Sequence, residues 1–113
     1  MTDLKEAEIK YTIGEYLQYG ENQLKWWYER LNCGNAFKEF GGDKYRIKLC
    51  REGTSDFIVV SPRGVFFIEV KTEKGKQSDA QIEFQAKVEA QHPGSRASYH
   101  IVRSLEEVEG LLE

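Results

Sequence analysis

Proline occurs only twice in the 113 residues, at Pro62 and Pro93, and no stretch is repetitive or of low complexity. No Pro- or Ser-rich linker separates two folding units, so one domain over residues 1–113 is expected. Cysteine is as rare, with Cys33 and Cys50 alone. Together with His92 and His100 they match no zinc spacing. The expectation is two free thiols in a reducing cytoplasm. No apolar run approaches the roughly 20 residues a membrane helix needs. The opening MTDLKEAEIK is acidic and helical in pattern, unlike a signal peptide. A cytoplasmic, non-secreted protein without membrane contact is therefore expected. A strong excess of one charge sign is also missing, since the formal net charge is −3. That balance does not by itself advertise nucleic-acid binding.

The charge is unevenly spread. Residues 1–37 carry 4 basic and 6 acidic groups, residues 38–76 carry 9 and 6, and residues 77–113 carry 3 and 7. The middle third is the basic one. Periodicity divides the chain into elements. Residues 3–19 read as a helix with Thr2 as N-cap. Ile9, Ile13, Tyr16 and Leu17 share a face, Glu6 lies at the edge of that stripe, and Glu8 points away. Residues 24–33 read as a strand with Trp26, Trp27 and Tyr28 in the core. Residues 34–43 read as a loop. Residues 44–50 alternate, with Tyr45, Ile47 and Leu49 on one face and Lys44, Arg46 and Lys48 on the other. That basic stripe suits phosphates, or else a solvated, charged edge. Strands at 55–60 and 65–71 flank the turn SPRG. A helix at 79–91 starts with the capping-box pair Ser78 and Gln81 and ends at HPG. A strand at 98–102 and a short helix opened by Ser104 and Glu107 complete the chain. The central hairpin is apolar on both faces, which calls for cover on both sides. The order α-β-β-β-β-α-β-α implies an α/β fold, a mixed sheet flanked by helices.

Three charges interrupt this apolar hairpin. Folding it about its turn sets Ser61 opposite Gly64, Val60 opposite Val65 and Ile58 opposite Phe67. Asp56 then falls opposite Glu69, with Lys71 two residues further on the same face. Two carboxylates facing each other across a ladder repel, and burying them unpaired costs several kcal/mol more. A divalent cation between them removes the conflict, and an all-oxygen ligand set suits Mg²⁺ or Mn²⁺. A salt bridge from Lys71 to one of the acids is the competing reading.

The arrangement of Ser55-Asp56 with Glu69-Val70-Lys71 resembles the PD-(D/E)xK nuclease core, with Ser55 where that pattern has proline. More closely it resembles the virus-type replication-repair (VRR-NUC) nucleases. The likeness spans nearly the whole chain. It takes in Glu6 and Lys10, the segment Arg30-x-Asn32-x-Gly34, Gly53-x-x-Asp56, Glu69-Val70-Lys71, and Gly75-Lys76-x-Ser78-x-x-Gln81. It implies a restriction-endonuclease-like fold and a DNA endonuclease dependent on Mg²⁺ or Mn²⁺, with no organic cofactor. Asp56, Glu69 and the backbone carbonyl of Val70 would hold the metal, and Lys71 would orient the attacking water. Glu6 would reach the site directly or through a water, and Gln81 would lie beside it unless it serves only as a cap. Lys10, where glutamine is commoner, is given no role. Stand-alone members of the family imply a homodimer that resolves four-way (Holliday) junctions in DNA repair, in the host cytoplasm if the protein is viral. Lys44, Arg46, Lys48, Lys74 and Lys76 would track DNA phosphates. Rival readings are a nuclease for flapped, nicked or single-stranded DNA, and a non-catalytic DNA-binding or assembly module of the same fold.

Overall fold

The computed structural model describes residues 5–31, 35–48 and 50–113, with only the backbone described at 35–40 and 45–48. Helix α1 spans Glu6–Asn22. Its buried positions, Ile9, Ile13, Leu17 and Gly20, recur at helical spacing. Glu6 is half-buried beside this stripe and Glu8 is exposed, as the helix phase requires. The helix starts four residues from the expected N-cap Thr2, which lies outside the described residues. Lys5 is the N-cap and supplies no side-chain bond.

Strand β1 (Trp27–Arg30) is shorter than the expected 24–33. Leu24 takes a left-handed backbone, with φ of 62°, so the chain turns where the strand was expected to begin. Trp26 is buried and its indole N–H donates to the Leu17 carbonyl at 2.9 Å. Trp27, expected in the core, is half exposed, because alternate strand residues face opposite ways. Strands β2 (Asn35–Phe40) and β3 (Asp43–Lys48) form an antiparallel hairpin, a two-stranded sheet of its own. The loop expected at 34–43 is thus corrected. Its signal was the pair Gly41-Gly42, both with positive φ, a two-residue hairpin turn.

The main sheet has the order β1-β4-β5-β6, with β4 at Phe57–Ser61, β5 at Gly64–Val70 and β6 at Ala97–Val102. The β4–β5 register follows the sequence expectation: Ser61 faces Gly64, Val60 faces Val65 and Ile58 faces Phe67. Strand β6 lies parallel to β5, so the sheet is mixed, and the crossover between them carries helix α2 (Asp79–Glu89). Helix α3 (Leu105–Leu112) closes the chain, with Ser104 capping the Glu107 N–H.

The core lies on one face of this sheet. Phe57, Val59, Ile68, Val70 and Val102 meet Ile9, Ile13 and Leu17 of α1 and Val108 and Leu112 of α3. Each such side chain contributes roughly 1.5–3 kcal/mol of burial free energy. The other face is covered less completely than its apolar pattern suggests. Phe84 of α2 packs on Phe67 and Tyr99, with ring centroids 5.5 and 5.9 Å apart. No residue of α2 is fully buried and Val60 stays exposed. Among the described residues no cysteine is a free thiol, because Cys50 is in a disulfide. This corrects the expectation for Cys50. Rarity suggested reduced thiols, whereas bond formation depends on distances that spacing along the chain does not reveal. Cys33 lies outside the described residues.

Candidate active site

Strand β5 ends at Val70, with Glu69 and Val70 still paired to Ile101 and Val102 of β6, and Lys71 follows directly; successive side chains here alternate between the core face and the α2 face. Val70 enters the core, fully buried. Glu69 is directed the other way and is nevertheless only 3% exposed. The ladder between β4 and β5 ends at Phe57 and Ile68, so Asp56 sits one residue before β4. Its backbone carbonyl accepts a bond from the Leu31 N–H at 2.8 Å. Its carboxylate reaches across: Oδ2 accepts the Val70 N–H at 2.8 Å. Ser55, also fully buried, donates to the Phe57 carbonyl at 3.2 Å and fixes the entry to β4.

Both oxygens of Asp56 are engaged, since Oδ1 lies 2.9 Å from Lys10 Nζ. The same ammonium lies 3.1 Å from Glu6 Oε2, one helical turn earlier on α1. Burial would lower the Lys10 pKa, but Asp56 and Glu6 outweigh it and hold the amine above its usual value. Lys71 Nζ lies 3.9 Å from Glu69 Oε1, and its backbone N–H joins the Val102 carbonyl at 3.0 Å.

The Gln81 side-chain amide makes two contacts at once. Oε1 accepts the Ser78 N–H at 2.8 Å while Ser78 Oγ accepts the Gln81 N–H at 3.2 Å, completing the capping box. Nε2 donates to Glu69 Oε1 at 2.9 Å. The first turn of α2 is held close by Gly53, whose φ is +81° and where a Cβ would fall 2.2 Å from the Ala80 carbonyl oxygen. Only glycine meets both demands.

Glu69 is the stressed group. Burial pushes its pKa up, to about 8, and the neighbouring Asp56 carboxylate adds to this while Lys71 opposes it. Its Oε2 is buried with no hydrogen-bond partner. An orphaned carboxylate oxygen beside a second carboxylate is what an all-oxygen site for a hard divalent cation requires. Among the described residues no group of three or more His, Cys, Asp and Glu is gathered to hold a metal. The residues that could offer oxygen to an ion here are the Asp56 and Glu69 carboxylates. This pair fits Mg²⁺ or Mn²⁺, which retain several waters, better than a fully caged ion.

Two residues to which the sequence assigns no role hold parts of the site. Lys10 belongs to the motif that opens at Glu6, and its contact with Asp56 depends on how α1 packs on the sheet. Arg103, just after β6, donates to the Thr72 carbonyl, to Glu73 O at 3.2 Å and to Gly75 O at 2.9 Å. It staples the loop that follows Lys71. In that loop Lys74 and Lys76 are exposed, as is Lys44 at the start of β3. The side chains of Arg46 and Lys48 lie outside the described residues.

Residues 17–107 match the sequence profile of the NERD family, described as the nuclease-related domain. The chain belongs to the nuclease-related domain family. A solved structure titled "VRR_NUC domain" superposes with a TM-score of 0.58 at 22% identity, covering 90% of this chain and 91% of the other. That likeness shows the fold, a mixed four-stranded sheet with three helices of the PD-(D/E)xK type. The chain matches no curated protein. The profile of the nuclease-related domain begins at residue 17, so Glu6 and Lys10 lie before the matched segment while Asp56, Glu69, Lys71 and Gln81 lie inside it.

Proposed function

We propose that this nuclease-related domain, taken as one unit over residues 1–113, is a metal-dependent DNA endonuclease that cleaves structured or branched DNA. The observation that carries this reading is the meeting of Asp56, Glu69 and Lys71 at the end of the β4–β5 hairpin, with Glu69 Oε2 buried and unpartnered. Asp56, Glu69 and the Val70 carbonyl would hold Mg²⁺ or Mn²⁺. Such an ion polarises a phosphodiester and lowers the pKa of water. Lys71 orients the attacking water and sets positive charge where the phosphorane-like transition state gains negative charge. Gln81 fixes one oxygen of Glu69, so that the other keeps its direction. Glu6 acts from α1 through its neighbourhood with Lys10 and Asp56.

The substrate side of the proposal rests on charge. Exposed Lys74 and Lys76 follow the site, and the hairpin bearing Lys44, Arg46 and Lys48 is the other basic element. Such groups bind phosphate without reading bases, which favours recognition of DNA shape. A two-fold homodimer would present two sites to a symmetric four-way junction.

The test is a cleavage panel of labelled four-way, flapped, nicked, duplex and single-stranded DNAs with Mg²⁺, Mn²⁺, Ca²⁺ or EDTA. Cleavage of branched DNA with Mg²⁺ or Mn²⁺, absent in EDTA and Ca²⁺, is expected. Preference for flapped or single-stranded DNA would replace the junction assignment alone. Full activity after exhaustive chelation would overturn the metal assignment. Binding without cleavage of any DNA would identify a non-catalytic module.

A further inference from the structure

Three carboxylates, Glu6, Asp56 and Glu69, approach this end of the sheet, yet they do not gather as one ligand cluster. The ammonium of Lys10 lies among them. It sits between Glu6 Oε2 at 3.1 Å and Asp56 Oδ1 at 2.9 Å, and its side chain is only 23% exposed. Glu6 is therefore turned toward Lys10, and Asp56 Oδ1 is shared with a cation that the chain itself provides. The remaining oxygen of Asp56 takes the Val70 N–H. On the far side, Glu69 Oε1 takes Gln81 and Glu69 Oε2 takes nothing. The polar demand of the cradle is thus met on the α1 side by an amine, while on the α2 side Gln81 meets one of the two Glu69 oxygens.

We propose that Lys10 is a resident cation of the metal centre, which keeps Glu6 out of the ligand set and leaves a two-carboxylate site formed by Asp56 and Glu69. This rests on the metal-dependent reading above. A fixed positive charge next to Asp56 repels a divalent ion, so it weakens metal affinity. In exchange the site carries two ammonium groups, those of Lys10 and Lys71, on either side of the carboxylate pair. In this arrangement Glu6 is a positioning residue for Lys10, with no direct bond to the metal. Glutamine at position 10 would lack the charge and would release Glu6 to reach the ion.

Manganese binding to the purified full chain tests this by calorimetry and by the electron paramagnetic resonance signal of free Mn²⁺. The variants are Glu6→Gln, Lys10→Gln, Lys10→Arg, the Glu6→Gln/Lys10→Gln double and Asp56→Asn. The proposal requires Glu6→Gln to stay within about twofold of the wild type in affinity, and Lys10→Gln to tighten binding on the order of tenfold. The double variant must bind more weakly than Lys10→Gln, because it lacks the freed Glu6 carboxylate and keeps only the relief from the Lys10 charge. Lys10→Arg keeps the charge and must retain weak binding, which separates the effect of charge from misfolding. Loss of affinity in Glu6→Gln comparable to that in Asp56→Asn would make Glu6 a ligand and overturn the proposal. Unchanged or weaker binding in Lys10→Gln would overturn it too, while loss in Asp56→Asn alone would leave the metal reading standing. No Mn²⁺ binding by the wild type would remove both.

Discussion

Glu69 concentrates the energetics of the site in one side chain. Its folded-state pKa, about 8, lies above the ordinary value of 4.5. The folded chain therefore holds a proton that the unfolded chain has released between those limits. The contribution of Glu69 to stability is full below about pH 4.5 and is lost as pH rises toward 8 in the metal-free protein. Glu69→Gln removes this titration and keeps a polar group of the same shape. Thermal melts in EDTA should show the variant losing less stability than wild type between pH 5 and 8.5. The gap should be on the order of 1–3 kcal/mol at the alkaline end. Activity should vanish in the same variant, so the two readouts move in opposite directions. Lys71→Met is expected to cut single-turnover cleavage by about 10²–10³-fold with little change in DNA affinity. Equal losses in rate and affinity would make Lys71 a simple phosphate contact. Glu6→Gln should lower activity more than Glu8→Gln, since Glu6 holds Lys10 and Glu8 is exposed.

At the level of elements, the site depends on one close approach. The loop before β4 touches the first turn of α2 at Gly53, and that turn delivers Gln81 to Glu69. Gly53→Ala would place a methyl against the Ala80 carbonyl in a left-handed backbone, so a loss of about 1–3 kcal/mol is expected. Cleavage should fall further than the shift in Tm explains, because Gln81 leaves Glu69. Gly110→Ala is the control: it lies in α3 with nothing within 4 Å of the new methyl. Alanine there should raise stability by about 0.5–1 kcal/mol. Differential scanning calorimetry of the two variants checks both signs. The helix phase of α1 and the register of β4–β5 were legible in sequence, because apolar spacing alone sets which side chains face the core. The β2–β3 hairpin was not, since a glycine pair was read as part of a loop rather than as a turn between two strands.

For the whole molecule, the basic hairpin and the loop at Lys74 and Lys76 are expected to act together on DNA backbone. Replacing Lys44, Arg46 and Lys48 together with glutamine should weaken junction binding at low salt. It should also reduce the slope of log affinity against log salt by about one unit for each phosphate that the variant no longer neutralises. An unchanged slope would return that strand to a charged, solvated edge. Sedimentation is expected to give twice the 13.1 kDa chain mass. A strict monomer would remove the junction-resolving dimer and leave the nuclease assignment intact. Among the described residues no helix is long and apolar enough to cross a membrane.

The amino-acid sequence by itself determined the mixed α/β class, the central hairpin with its register, and the acid-acid-lysine set at its end. These follow from periods of 2 and 3.6 residues and from the cost of opposed charges in an apolar strand, all of which are local. Tertiary structure alone decided what those charges meet. Lys10 reaches Asp56 because α1 packs across the sheet, Gln81 reaches Glu69 because Gly53 lets α2 approach, and Arg103 ties the loop after Lys71 from the next strand. Each of these interactions joins residues far apart in the chain. Their partners are set by how packed layers dock, a quantity that neither spacing nor composition encodes.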